Sequence, residues 1–231
     1  MDFEKHTYTD RVVTYVKECI LNGTYKPGDK VKELTIANKL TISRAPVREA
    51  LQILIQEGLI VWKPQKGKFI TELNSEQIQN SYFSGGVLEG AAVAQAIHLY
   101  TDRDCRRLEA IVEQMRNIAE NNKPLDTIAT LDDQFHVILF SRIDNELLKE
   151  FCRRACQGLS KFLLFKYWIQ LFTPTEVYLR HKQIVEALKK GDAERLEKVV
   201  RKHYFDAGER MSIVKQETET HRHTADTETG K

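Results

Sequence analysis

Between Ser43 and Gly58 the apolar residues Val47, Ala50, Leu51, Leu54 and Ile55 recur at offsets of three and four, which predicts a helix with one buried face. Ser43 is a natural cap, and Pro46 falls in the first turn, where a missing N–H costs little. Two more helices precede it. Asp10–Leu21 directs Val12, Val13, Val16, Ile20 and Leu21 inward and stops at Asn22-Gly23, and Glu33–Leu40 is a short amphipathic segment joined to the Ser43 helix by Thr41-Ile42. Beyond Gly58 the pattern turns to strand: Leu59–Trp62, a Lys63–Gly67 turn, then Lys68–Thr71, a hairpin with lysines at its tip. The Lys26-Pro27-Gly28-Asp29 turn leads into a short strand able to pair with that hairpin.

After Leu73 nearly everything reads as helix. Six helices are expected, at about Ser75–Leu99, Thr101–Asn121, Leu125–Ser141, Asp144–Leu171, Thr175–Lys189 and Asp192–Lys215, and the polar run from Gln216 lacks apolar anchors and reads as a disordered tail. The expected chain is mainly α, with a head over residues 1–73, an all-α six-helix domain over 74–215 and a tail over 216–231.

Charge changes the picture only through its distribution. The net charge is +2, yet from Lys26 to Lys68 nine Lys or Arg face four acidic residues, whereas residues 74–231 carry 23 basic and 24 acidic groups. The basic surplus sits on the head. No run of about 18 apolar residues is present and the N-terminus has no apolar signal core, so a cytoplasmic protein is expected, without membrane attachment. Cys19, Cys105, Cys152 and Cys156 lack paired-cysteine metal spacing; Cys152 and Cys156 share a helix face, but two thiols make a poor site, and reduced thiols are expected.

The exposed face of the Ser43 helix carries Arg44, Arg48 and Gln52 at spacings of four, two guanidinium forks and an amide in one stripe. On their own these residues suit a solvated basic face as well as a base-reading one, and the surrounding helix-turn-helix and lysine-tipped hairpin favour DNA. Gly23, Tyr25-Lys26-Pro27-Gly28-Asp29, the run Ser43-Arg44-Ala45-Pro46-Val47-Arg48-Glu49-Ala50-Leu51, and Glu57-Gly58-Leu59 followed by Gly67 together resemble the GntR winged helix-turn-helix transcription regulators. The resemblance departs from the usual pattern at Thr41, where glycine is common, and at Ala45, where threonine is common. It implies binding to a double-stranded DNA operator, with Ser43, Arg44, Arg48, Gln52, Lys66, Gly67 and Lys68 as contacts, action as a homodimer and regulation of transcription as a repressor or an activator.

In the helical domain, Asp132 and His136 lie four apart on one helix face, and His181 and His203 follow on two further helices. One carboxylate and three imidazoles can converge on a divalent transition metal, with positions left for water or a ligand. That order, with the stretches Phe135-His136 through Asn145 and His181–Leu188 through Gly191-Asp192, is similar to the metal site of the FCD-type effector domain, and the count of six helices suits its VanR-like branch. The resemblance implies zinc, nickel, manganese or iron held by Asp132, His136, His181 and His203, and a small organic acid as effector. Where relatives often carry an arginine four residues before the glutamate of the first effector helix, counting back from Glu89 gives Gly85, so Arg180 or Lys166 is the candidate cation for the effector. Two other readings stay open: a purely structural metal, and a metal-dependent hydrolase, although no convincing general base with a separate substrate clamp is present.

Overall fold

The computed structural model describes residues 7–157 and 162–228, with side chains described for 7–155 and 162–216. It divides into two compact units, the first ending at Leu73 and taking in the short stretch up to Phe165, the second beginning at Asn74. Each is built around its own core.

In the first unit α1 (Tyr8–Leu21), α2 (Glu33–Leu40) and α3 (Arg44–Gln56) stand with a three-stranded antiparallel sheet of β1 (Lys30–Val31), β2 (Ile60–Lys63) and β3 (Gly67–Ile70) in the order β1-β3-β2. The hairpin register sets Ile60 opposite Ile70 and Lys63 opposite Gly67, and β1 adds to the far edge of β3 through Lys30 opposite Phe69. The expected pairing is present. α1 begins two residues before the apolar pattern because Thr7 and Asp10 close a capping box, satisfying amides that have no partner inside the helix. Val12, Val16, Ile36, Val47, Leu51, Leu54 and Leu59 are buried, so the inward faces read from the periodicity form one core. Ser43 occupies the extended N-cap position of α3, but its hydroxyl makes no capping hydrogen bond.

The connection between α2 and α3 turns at Thr41, which is left-handed at φ 55°, ψ 48°. A β-branched residue there costs about 1–2 kcal/mol relative to glycine, which explains why glycine is usual at this turn in the resembled family. Thr41→Gly is therefore expected to stabilise the first unit by about 1 kcal/mol, less than the full strain because glycine gains freedom in the unfolded chain. A denaturant titration showing no gain or a loss would contradict the strained-turn account.

The second unit is wholly helical among the described residues: α4 (Ser75–Gln95) with a 3₁₀ turn at Ile97–Leu99, α5 (Asp102–Glu120), α6 (Asp126–Phe140), α7 (Glu146–Cys152), α8 (Phe165–Leu171), α9 (Pro174–Lys189) and α10 (Ala193–Glu228). The helix expected over Asp144–Leu171 is interrupted: α7 passes into a π-helical turn at Arg153–Gln157, and α8 starts at Phe165. Wide turns of this kind follow local packing rather than hydrophobic period, and the six-helix count gives way to seven α-helices among the described residues. The side chain of Cys156 lies outside the described residues, as do those of His221 and His223. α10 runs on through the stretch expected to be a tail, since no glycine or proline after Gly208 stops it before Glu228.

α4 and α10 lie along each other at very close range. A Cβ on Gly208 would sit 2.4 Å from the Tyr82 Cβ, one on Gly90 2.7 Å from the Arg201 Cγ, and one on Gly86 3.0 Å from both the Tyr204 Cβ and the Phe205 ring. The glycines thus admit a neighbouring helix, and α4 stays unbroken across Gly85-Gly86. Ser75 at the start of α4 also donates from Oγ to the Ser212 carbonyl at 2.9 Å.

Candidate nucleic-acid interface and metal centre

On α3, burial of Val47, Ala50, Leu51 and Leu54 turns Arg44, Arg48 and Gln52 outward, and the two arginine side chains are 54% and 61% exposed. Lys66 lies at the hairpin tip beside Gln65 (φ 60°) and Gly67 (φ 108°), and is exposed. Lys68 differs from the expectation of a tip lysine. Its ammonium is drawn back to Glu33 Oε1 at 2.9 Å, and Glu33 Oε2 accepts from Arg44 Nη2 and from Arg48 Nε, each at 3.0 Å. Although burial opposes ionisation of Glu33, the hydrogen bonds from Lys68, Arg48 and Arg44 prevail and bring its pKa to about 2. Sequence reading passed over Glu33, whose one signal was its position as the acidic residue opening α2 in a basic head.

In the second unit, α6, α9 and α10 bring His136, His181 and His203 together, with one ring nitrogen of each within 4.8 Å of the others. Phe135, fully buried on α6, packs T-shaped with the His181 ring, the ring centroids 4.6 Å apart. His181 Nδ1 donates to the Val177 carbonyl one turn back at 2.7 Å, which leaves Nε2 facing the cluster. That nitrogen faces Asp132 Oδ1 at 3.0 Å. A proton on Nε2, or a cation in its place, makes that approach favourable. His136 Nδ1, His181 Nε2 and His203 Nδ1 are buried without hydrogen-bond donors or acceptors to satisfy them, and buried polar atoms are rarely left so. The three histidines named from the sequence thus converge, with Asp132 beside His181, and that donor set fits a divalent transition metal.

The electrostatics agree with that fit. Burial pushes the pKa of His136 down, partly offset by Asp132, and pushes that of His203 well down, with Arg180 and the other histidines adding to the effect. Neutral rings are the ligating form. Burial alone would raise the Asp132 pKa, but the close approach of His181 and the nearby His136 and Arg180 hold it below the usual carboxylate range. Arg180 lies in this neighbourhood: Nη2 donates to the His203 carbonyl, the guanidinium stands 4.8 Å over the Phe172 ring, and Nε is buried without a partner. Lys166, the other candidate cation, is exposed on α8, and no described contact ties it to the histidines.

A family model for bacterial regulatory proteins of the gntR family matches residues 8–70, and one for the FCD domain matches residues 86–206. The chain is a GntR-family regulator of the FCD type. Similar curated proteins include the HTH-type transcriptional repressor RspR of Escherichia coli K12, 29% identical over 210 residues that make up 90% of each chain, and the HTH-type transcriptional regulator LutR of Bacillus subtilis, 26% identical over 84% of this chain and 96% of its own. Among solved structures, E. coli McbR/YncC shares the fold with a TM-score of 0.68 at 21% identity, covering 87% of this chain and 97% of its own. A GntR regulator from Rhodococcus sp. RHA1 reaches 0.65 at 25% identity, covering 88% and 96%. This GntR regulator is thus a DNA-binding transcription regulator rather than an enzyme. No described helix is long and apolar enough to cross a membrane.

Proposed function

We propose that this GntR/FCD regulator controls transcription as a homodimer in the cytoplasm, reading its operator through Ser43 at the cap of α3, Arg44, Arg48 and Gln52 on it, and Lys66, Gly67 and Lys68 of the hairpin. A small carboxylate effector at the centre formed by Asp132, His136, His181 and His203 sets its affinity for DNA. The observation that carries the effector half is the gathering of three orphaned imidazole nitrogens beside Asp132 in a buried setting. A divalent zinc, nickel, manganese or iron ion, when bound there, supplies a Lewis-acid anchor for carboxylate and hydroxyl oxygens. Arg180, with its unsatisfied Nε near His203, supplies the cation that Gly85 withholds, and Lys166 is the weaker candidate. Repression is the sense favoured by the likeness to RspR.

For the DNA half, Arg48→Ala is expected to cost about 1–3 kcal/mol on the operator and to relax the base preference, while Lys66→Ala weakens operator and random DNA alike and reduces the salt slope by about one. Titrations of both DNAs at several salt concentrations measure this. Equal losses for Arg48→Ala on the two DNAs would remove its base-reading role. For the effector half, hydroxy, keto, sugar and aromatic acids are titrated against metal-loaded and metal-free protein, with operator binding read in parallel. Absence of any metal-dependent binding would favour a structural metal instead.

A further inference from the structure

Glu33 lies among the cations of α3 and β3, with a charge opposite to theirs. It opens α2, yet its two carboxylate oxygens reach α3 and β3, taking Arg44 and Arg48 on Oε2 and Lys68 on Oε1. The carboxylate side chain is 20% exposed while the two guanidinium groups are 54% and 61% exposed, so the acid sits beneath the cations and leaves their outer sides to solvent. The atoms used matter. Arg48 meets Glu33 through Nε, which leaves its terminal Nη1/Nη2 pair for two acceptors on one base edge; Arg44 meets it through Nη2, which spends one member of that pair.

We propose that Glu33 is a positioning residue for sequence discrimination: it holds Arg48 as a two-pronged base reader, limits Arg44 to a single contact, and restrains all three cations from closing on phosphates where the bases are wrong. The inference rests on the reading that α3 faces the operator bases. Random DNA seldom sets base acceptors where these cations point and leaves them mainly phosphate oxygens, which the carboxylate repels, whereas the operator places base acceptors at fixed positions that a pre-set guanidinium meets without reordering. The low pKa of Glu33 keeps the carboxylate charged at every pH at which DNA binding is measured.

The test uses the full chain and a duplex selected from a random library by the wild-type protein, beside a scrambled duplex of the same length. Glu33→Gln keeps the shape and removes the charge. Its affinity for scrambled DNA is expected to rise about three- to tenfold, the salt slope to steepen by about one, and the ratio of selected to scrambled affinity to fall about tenfold. Glu33→Asp keeps the charge and withdraws it by one carbon, so the ratio falls while the salt slope stays at the wild-type value. In an Arg48→Ala background, Glu33→Gln changes the ratio little. A ratio unchanged in both Glu33 variants overturns the proposal, and thermal melts show whether each variant is folded. Equal loss of both DNAs on Arg48→Ala alone identifies the failure as that of the base-reading assignment beneath it, and overturns the positioning role with it.

Discussion

Chelation of metal-loaded protein is expected to lower its melting temperature by about 10 °C, with no such effect in His136→Ala or His203→Ala. A ligand that binds only the folded chain stabilises it by about 4 kcal/mol when present at a thousand times its dissociation constant, and for a chain of this size each kcal/mol moves the midpoint by about 2–4 °C. The histidines come from α6, α9 and α10, so a shared ion cross-links helices far apart in sequence. Without it, three buried ring nitrogens lack hydrogen-bond partners, which is unfavourable to leave uncompensated. Differential scanning calorimetry with and without chelator, together with elemental analysis, measures the effect. Unchanged metal content in both alanine variants would place the ion elsewhere.

Gly208→Ala is expected to destabilise the second unit by about 2–3 kcal/mol, although alanine is the better helix former by about 1 kcal/mol. The added Cβ would lie 2.4 Å from the Cβ of Tyr82, an atom fixed to the α4 backbone, so relief requires separating two helices rather than rotating a side chain. Gly191→Ala is the matched control, because nothing lies within 4 Å of its added Cβ and the cost comes only from its φ of 66°. It should lose about 1 kcal/mol. Equal denaturation midpoints for wild type and Gly208→Ala would show that the two helices tolerate more space than their glycines suggest.

The head was legible almost residue by residue, because a three-helix core with a hairpin rests on local signals: apolar period, capping residues, and glycines at Gly23, Gly58 and Gly67 where φ is positive. The histidine constellation was legible from the order of Asp132, His136, His181 and His203 once the resemblance was admitted; periodicity alone places each ring on a helix and leaves convergence undetermined. Three features were not legible. The interruption between α7 and α8 depends on how that segment packs, which no 3.6-residue pattern encodes. The continuation of α10 to Glu228 ran against a polar composition that otherwise argues for a tail. Glu33 was invisible because its significance lies in partners 11, 15 and 35 residues away on two other elements.

The glycine contacts between α4 and α10 have a mechanical meaning. With Gly86, Gly90 and Gly208 each packed tightly against the partner helix and Ser75 bonded to the Ser212 carbonyl, little slack is left between the two helices to absorb a rotation or a slide. They behave as one strut. His203 is carried on one member of that strut, and the other begins at Ser75, two residues beyond Leu73, so any displacement imposed at the histidine is shared by the pair rather than relayed side chain by side chain.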